Sequence, residues 1–149
     1  MRYLLALLTM LVAGPAWSAQ YPGYPANAIP VIVDTGNVPE GPINIEMPPA
    51  PGFTNYLAAV ACTGTGATAA SNVLMVLGSF PDALLGTVNL TWIYATPAGI
   101  TVAAPGVAAS FDPPLVGQDG GAIGLNVAAV GAGNTHLSCN MRGYRAPSQ

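Results

Sequence analysis

No lysine occurs anywhere in the 149 residues, and the only cations apart from one histidine are Arg2, Arg142 and Arg145. Binding to nucleic acid needs clustered Lys and Arg to displace counterions from phosphates, so no nucleic-acid partner is expected. A polybasic contact with anionic lipid fails for the same reason. Acids are scarce too: there are six, and charged residues make up 6% of the chain, against about 25% in an ordinary globular protein. The surface must therefore be built from Thr, Ser, Asn, Gly, Ala and exposed apolar groups. Such a surface offers little electrostatic resistance to self-association. Disordered chains are highly charged and poor in Val, Leu and Ile; this one is 52% hydrophobic, so a folded core is expected.

Groups able to do chemistry are equally few. His136 is the only histidine, and with Cys139 it makes an H-x-x-C spacing. Zinc wants four N/S ligands, or three and a water, and Cys139 is expected to be oxidised. A serine or cysteine nucleophile would have no base but His136, and no G-x-S-x-G is present. Strand alternation turns His136 outward with Ser138, Asn140 and Arg142, as a solvated histidine. Asp112 and Asp119 flank a Pro-rich segment. Calcium takes roughly 6–8 oxygen ligands, and glycoside hydrolysis needs a cleft between its two carboxylates; loop solvation accounts for both residues without either. The run Gly64-Thr65-Gly66-Ala67-Thr68-Ala69 matches the G-x-G-x-x-A phosphate turn, in which glycines let backbone amides at a helix N-terminus approach a pyrophosphate. The acidic residue required about twenty positions on is missing, because Asp82 sits in a Phe80-Pro81-Asp82 turn, and the run reads as a plain turn. No catalytic, cofactor-binding or metal-binding residue is assigned, no cofactor is expected, and the protein reads as non-enzymatic. Asn89-Leu90-Thr91 is a glycosylation sequon, relevant only where the machinery exists.

What is present begins with a three-part N-terminus: Arg2, an apolar run over residues 4–13, then Gly14-Pro15 and the small pair Ala16-x-Ser18. This is the pattern of a cleavable secretory signal peptide over residues 1–19. The run is too short to span a bilayer, which takes about 20 apolar residues. No later stretch is long and apolar enough, so no transmembrane segment is expected in the mature chain. Export to the periplasm, the cell surface or the medium follows. In an oxidising compartment two cysteines pair, so a Cys62–Cys139 disulfide is predicted.

Proline divides the remainder. Eight of the fifteen prolines fall in residues 20–52, which excludes helix or central strand over any length and predicts an extended arm. Two apolar pieces interrupt it, at 29–33 and 43–47, and in the second Ile43, Ile45 and Met47 alternate with Asn44 and Glu46. Either can pair along a sheet edge. From Phe53 onward, apolar segments at 54–62, 73–77, 87–95, 100–104, 107–111, 123–130 and 136–142 are separated by turn signals. In 87–95, Val88, Leu90, Trp92 and Tyr94 share one face, and Trp92 reads as core. Residues 100–104 are expected to return as the hairpin partner of 87–95 across Thr96-Pro97-Ala98-Gly99. Ile123, Leu125, Val127 and Ala129 share a face, as do Leu137, Cys139 and Met141. Residues 67–77 fit either a helix or a strand. The expectation is an all-β fold: one small antiparallel β-sandwich or barrel-like domain over 53–142, an extended Pro-rich arm before it, one disulfide, and a polar tail over 143–149.

The function expected from this composition is that of a structural or interaction protein of the bacterial cell envelope, self-assembling or meeting another envelope protein through residues 29–47. The alternative is a monomeric secreted binding module for a carbohydrate or small apolar ligand.

Overall fold

The computed structural model describes residues 24–80 and 87–148, with backbone only at 79–80 and 87–89. The expected leader over residues 1–19 and the Phe80-Pro81-Asp82 turn beyond Phe80 lie outside the described residues. Eight strands are formed: β1 (Ile29–Asp34), β2 (Ile43–Met47), β3 (Phe53–Gly64), β4 (Ser71–Phe80), β5 (Thr87–Thr96), β6 (Val107–Asp119), β7 (Ala122–Val127) and β8 (Leu137–Pro147). They make two four-stranded sheets, β1-β8-β3-β6 and β2-β7-β4-β5, with every neighbouring pair antiparallel. The sheets pack face to face around one core, so the fold is the all-β sandwich that the alternation predicts.

Period-two patterning builds this core directly. Ile43, Ile45 and Met47 point inward from β2 while Asn44 and Glu46 point out. Leu125 and Val127 do the same from β7, and Leu137, Cys139 and Met141 from β8. They meet Leu57 and Val60 of β3, Met75 and Leu77 of β4, and Tyr94 of β5.

The Pro-rich segment supplies one edge strand to each sheet. β1 lies along β8, with Ile29 opposite Arg145 and Asp34 opposite Asn140. β2 lies along β7, with Ile43 opposite Val127 and Met47 opposite Ile123. Edge positions tolerate this segment because a proline there forfeits only a hydrogen bond that has no partner strand. Burying an aliphatic side chain contributes about 1.5–3 kcal/mol. The three inward residues of β2 therefore give that short strand a stake in the stability of the whole domain.

Three elements depart from the sequence reading, and a fourth, left open there, is settled. Residues 67–77, open between helix and strand, join β4 from Ser71 onward. Residues 100–104 do not pair with β5. Val102 instead closes a turn onto Gly99 (N to O, 3.0 Å), and Thr65 bridges Ala103 beside it. The strand expected at 107–111 runs on to Asp119 through Pro113 and Pro114. β6 is an edge strand, and its register with β3 breaks between Ser110 and Leu115, so the prolines sit where no ladder bond is required. Finally, the polar tail expected over 143–149 is largely strand, since β8 continues to Pro147. Gly143 makes this possible: a Cβ there would lie 2.0 Å from the Tyr56 carbonyl oxygen, so only glycine allows β8 to pass the bulge of β3.

Cys62 and Cys139 are bonded, and they stand directly opposite each other on β3 and β8, with Cα atoms 4.1 Å apart. The backbone of Cys139 bonds away from β3: its N–H donates to the Thr35 hydroxyl (3.0 Å) and its carbonyl accepts from the Thr35 N–H (3.0 Å). The cysteines thus form a non-hydrogen-bonded pair, the class in which facing side chains come closest.

The β6–β7 corner passes from one sheet to the other in two residues. Gly120 takes φ +68°, and its N–H donates to Phe53 O (2.9 Å). Asn55, fully buried on β3, holds this corner: its Nδ2 donates to Gly121 O (2.8 Å) and to Pro48 O (3.0 Å), tying β3 to the start of β7 and the end of β2.

Candidate functional site

The outer face of the first sheet is organised in rows by strand register. Pro30, Tyr144, Tyr56 and Val116 form one row; Ile32, Arg142, Ala59 and Ser110 the next; Asp34, Asn140, Ala61 and Ala108 a third. In the first row the Tyr56 and Tyr144 rings are stacked, with centroids 4.8 Å apart and planes at 9°, and Tyr24 covers Tyr144 from the other side at 4.8 Å. Burial pushes the Tyr144 hydroxyl above the ordinary tyrosine pKa of 10.0, and the neighbouring Tyr56 and Tyr24 phenols add to this. Below the tyrosines, small side chains leave a shallow trough of about 250 Å³, floored by Ala59, Ala61, Ala108 and Ser110 and bordered by Asn140 and Arg142. A larger recess of about 410 Å³ lies where β4 begins and β5 ends, against Ser71, Asn72, Thr96, Pro97 and Pro105.

The second sheet presents a different surface. Its four strands contain one charged residue, Glu46. On its outer face Asn44 and Asn126 are joined side chain to side chain, and Val76 and Thr91 continue their row. The adjacent row sets Leu74 opposite Ile93, and these two are 52% and 64% exposed. β5 forms the edge: β4 lies on one side, and no strand among the described residues lies on the other. Inward from this edge point Tyr94, fully buried with its hydroxyl pushed above the ordinary range by desolvation, and Trp92, half-buried against the core.

The residues singled out in the sequence are scattered. His136 is exposed just ahead of β8, and its carbonyl accepts from Thr65 N–H (2.8 Å). Asp112 and Asp119 are both exposed, on β6 rather than in a loop, and Asp119 accepts from the Ser148 hydroxyl. No group of three or more His, Cys, Asp or Glu able to hold a metal occurs among the described residues. The Gly64–Ala69 run leads into a strand, not a helix. A Cβ on Gly66 would lie 2.3 Å from Gly99 O and one on Gly64 would lie 2.5 Å from His136 O, so these glycines serve close backbone packing. The backbone of Asn89 lies in β5. No helix among the described residues is long and apolar enough to cross a membrane.

Residues 29–47, the predicted contact segment, are paired within the chain's own sheets, and the apolar side chains of β2 are spent on its own core. What β1 still exposes is Ile32 on the outer face and, at the start of the strand and on the opposite face by alternation, Ile29. Nothing in the sequence singles out Tyr56 and Tyr144, or marks β5 as an edge. Both depend on which strands lie side by side. Comparison with protein-family models, curated proteins and solved structures finds no match to this chain.

Proposed function

We propose that the protein is an exported, non-enzymatic structural or interaction protein of the bacterial cell envelope, and that it meets its partner through the outer face and free edge of the second sheet. The observation that carries this reading is the exposed Leu74–Ile93 pair on a sheet with one charged residue. Apolar groups side by side, with no nearby charge to keep another surface away, characterise contact faces. Exchange of β1 or β2 between copies would reuse the β1·β8 and β2·β7 registers and is a second route to assembly. The test is a photoreactive residue at position 74 or 93 in cells expressing the full chain, followed by fractionation. Adducts in the envelope fraction from these positions, and none from position 110 on the other sheet, are expected. A cytoplasmic protein without adducts would refute the proposal.

The trough beside Tyr56 favours a second reading, as a binding module for a carbohydrate or small apolar ligand. Small residues flanked by an aromatic ring, an amide and a guanidinium offer stacking and hydrogen bonds together. Calorimetric titration with neutral oligosaccharides, comparing wild type with Asn140→Ala, separates it from the first.

A further inference from the structure

We infer that β5 pairs with β5 of a second copy, antiparallel about a two-fold axis at Ile93, joining two four-stranded sheets into one of eight. This rests on the interaction reading above and names its partner.

Four edges are available, and three are defended. β1 carries Pro30 and Asp34, β2 carries Glu46, and β6 carries Asp112, Pro113, Pro114 and Asp119. Proline and charge are the means by which edge strands avoid pairing with other chains. β5 reads TVNLTWIYAT and has neither over ten residues. A two-fold antiparallel pairing sets a strand against itself, so a carboxylate on it would face a region bearing the same charge. β5 is the edge that escapes this.

Its pattern is also self-complementary. Centring the pair on Ile93 brings Thr91 opposite Ala95 of the second copy on the outer face, and extends the Leu74–Ile93 row into Leu74–Ile93–Ile93–Leu74. On the inner face, half-buried Trp92 comes opposite the backbone of Tyr94 of the second copy, whose ring stays in its own core, so no like charges or prolines meet there either. One edge strand makes a smaller interface than the roughly 1,200–2,000 Å² of a standard stable complex, so the dimer is weak and accumulates only at high concentration.

The test is sedimentation velocity on the purified protein from micromolar to millimolar concentration, with three variants. Wild type should shift from monomer to dimer. Ile93→Lys places two ammonium groups face to face at the axis and should raise the dissociation constant by about tenfold or more. Its melting curve should stay that of the monomer, because Ile93 is 64% exposed. Ile32→Lys, at a residue 63% exposed on β1, should leave the dimer intact. Ile93→Cys should cross-link to itself under mild oxidation, since facing Cβ atoms in such a pair lie about 4.5–5.5 Å apart. Wild type that stays monomeric throughout, or a dimer indifferent to Ile93→Lys, overturns the β5 pairing. If position 93 then links to a different envelope protein, the interaction reading stands without self-pairing; if it links to nothing, both fall.

Discussion

Tyr56 and Tyr144 face each other in register across β3 and β8, their rings stacked 4.8 Å apart. Tyr144 is buried beneath Tyr24 and Tyr56, although it lies on the outer face of its sheet. Tyr144→Ala is therefore expected to cost about 3 kcal/mol, within the range of large-to-small aromatic truncations. Tyr56→Ala, at a half-exposed position, should cost less. Urea unfolding of the two variants measures both, and equal costs would mean that Tyr144 is not the covered ring.

Alkaline pH should act through the same residue. Its folded pKa lies above that of the unfolded chain because burial disfavours the phenolate. Stability from this group is fully present below pH 10, the unfolded value, and is lost as pH rises through the folded one. Tyr94 adds to the loss in the same direction. Denaturation midpoints from pH 8 to pH 12 should fall at the upper end, and Tyr94→Phe with Tyr144→Phe should flatten the fall.

Removing the disulfide should cost up to about 4.5 kcal/mol, the chain-entropy value for a loop of 77 residues. The double variant Cys62→Ala with Cys139→Ala avoids leaving a thiol in the core. Its midpoint should match that of reduced wild type, and non-reducing peptide mapping of wild type should recover no free cysteine.

Val127→Asp should unfold the domain, because Val127 is fully buried opposite Ile43 and the carboxylate would have no partner. Deleting residues 29–47 should do the same by removing Ile43, Ile45 and Met47 from the core. Circular dichroism checks both; a folded deletion variant would show that β1 and β2 are dispensable.

Asn55→Ala should cost about 1–3 kcal/mol by leaving the buried Gly121 carbonyl without a donor and the Pro48 carbonyl with only the Arg145 guanidinium at 3.5 Å. Hydrogen exchange should show faster opening at the β6–β7 corner than elsewhere.

The strands were legible where one face is buried and the other solvated. Ile43, Ile45 and Met47, or Leu137, Cys139 and Met141, announce their faces by alternation alone, and the cysteine pair followed from counting. Pairing partners were not legible, since nothing local tells residue 43 that it will lie beside residue 127. Pro113 and Pro114 look like breakers until β6 is known to be an edge, and Ile100 and Val102 look like a buried strand although both are exposed. The free edge was hidden for the same reason: alternation turns Ile93 to the outer face, but which strand ends the sheet beside it depends on the pairing of the whole chain.

The order of strands also constrains when this protein can exist. β1 and β3 both close on β8, and β2 closes on β7, so each early strand waits for a late one. A chain made from its N-terminus keeps Ile43, Ile45 and Met47 uncovered until residues 122–127 arrive. It cannot close the first sheet until residues 137–147 are free. Contacts so distant in sequence make folding slow and leave apolar strands exposed meanwhile. The finished domain is thus an all-or-nothing product of the last few dozen residues, and a chain interrupted before them would go to proteases or aggregates, with no stable half-structure to fall back on.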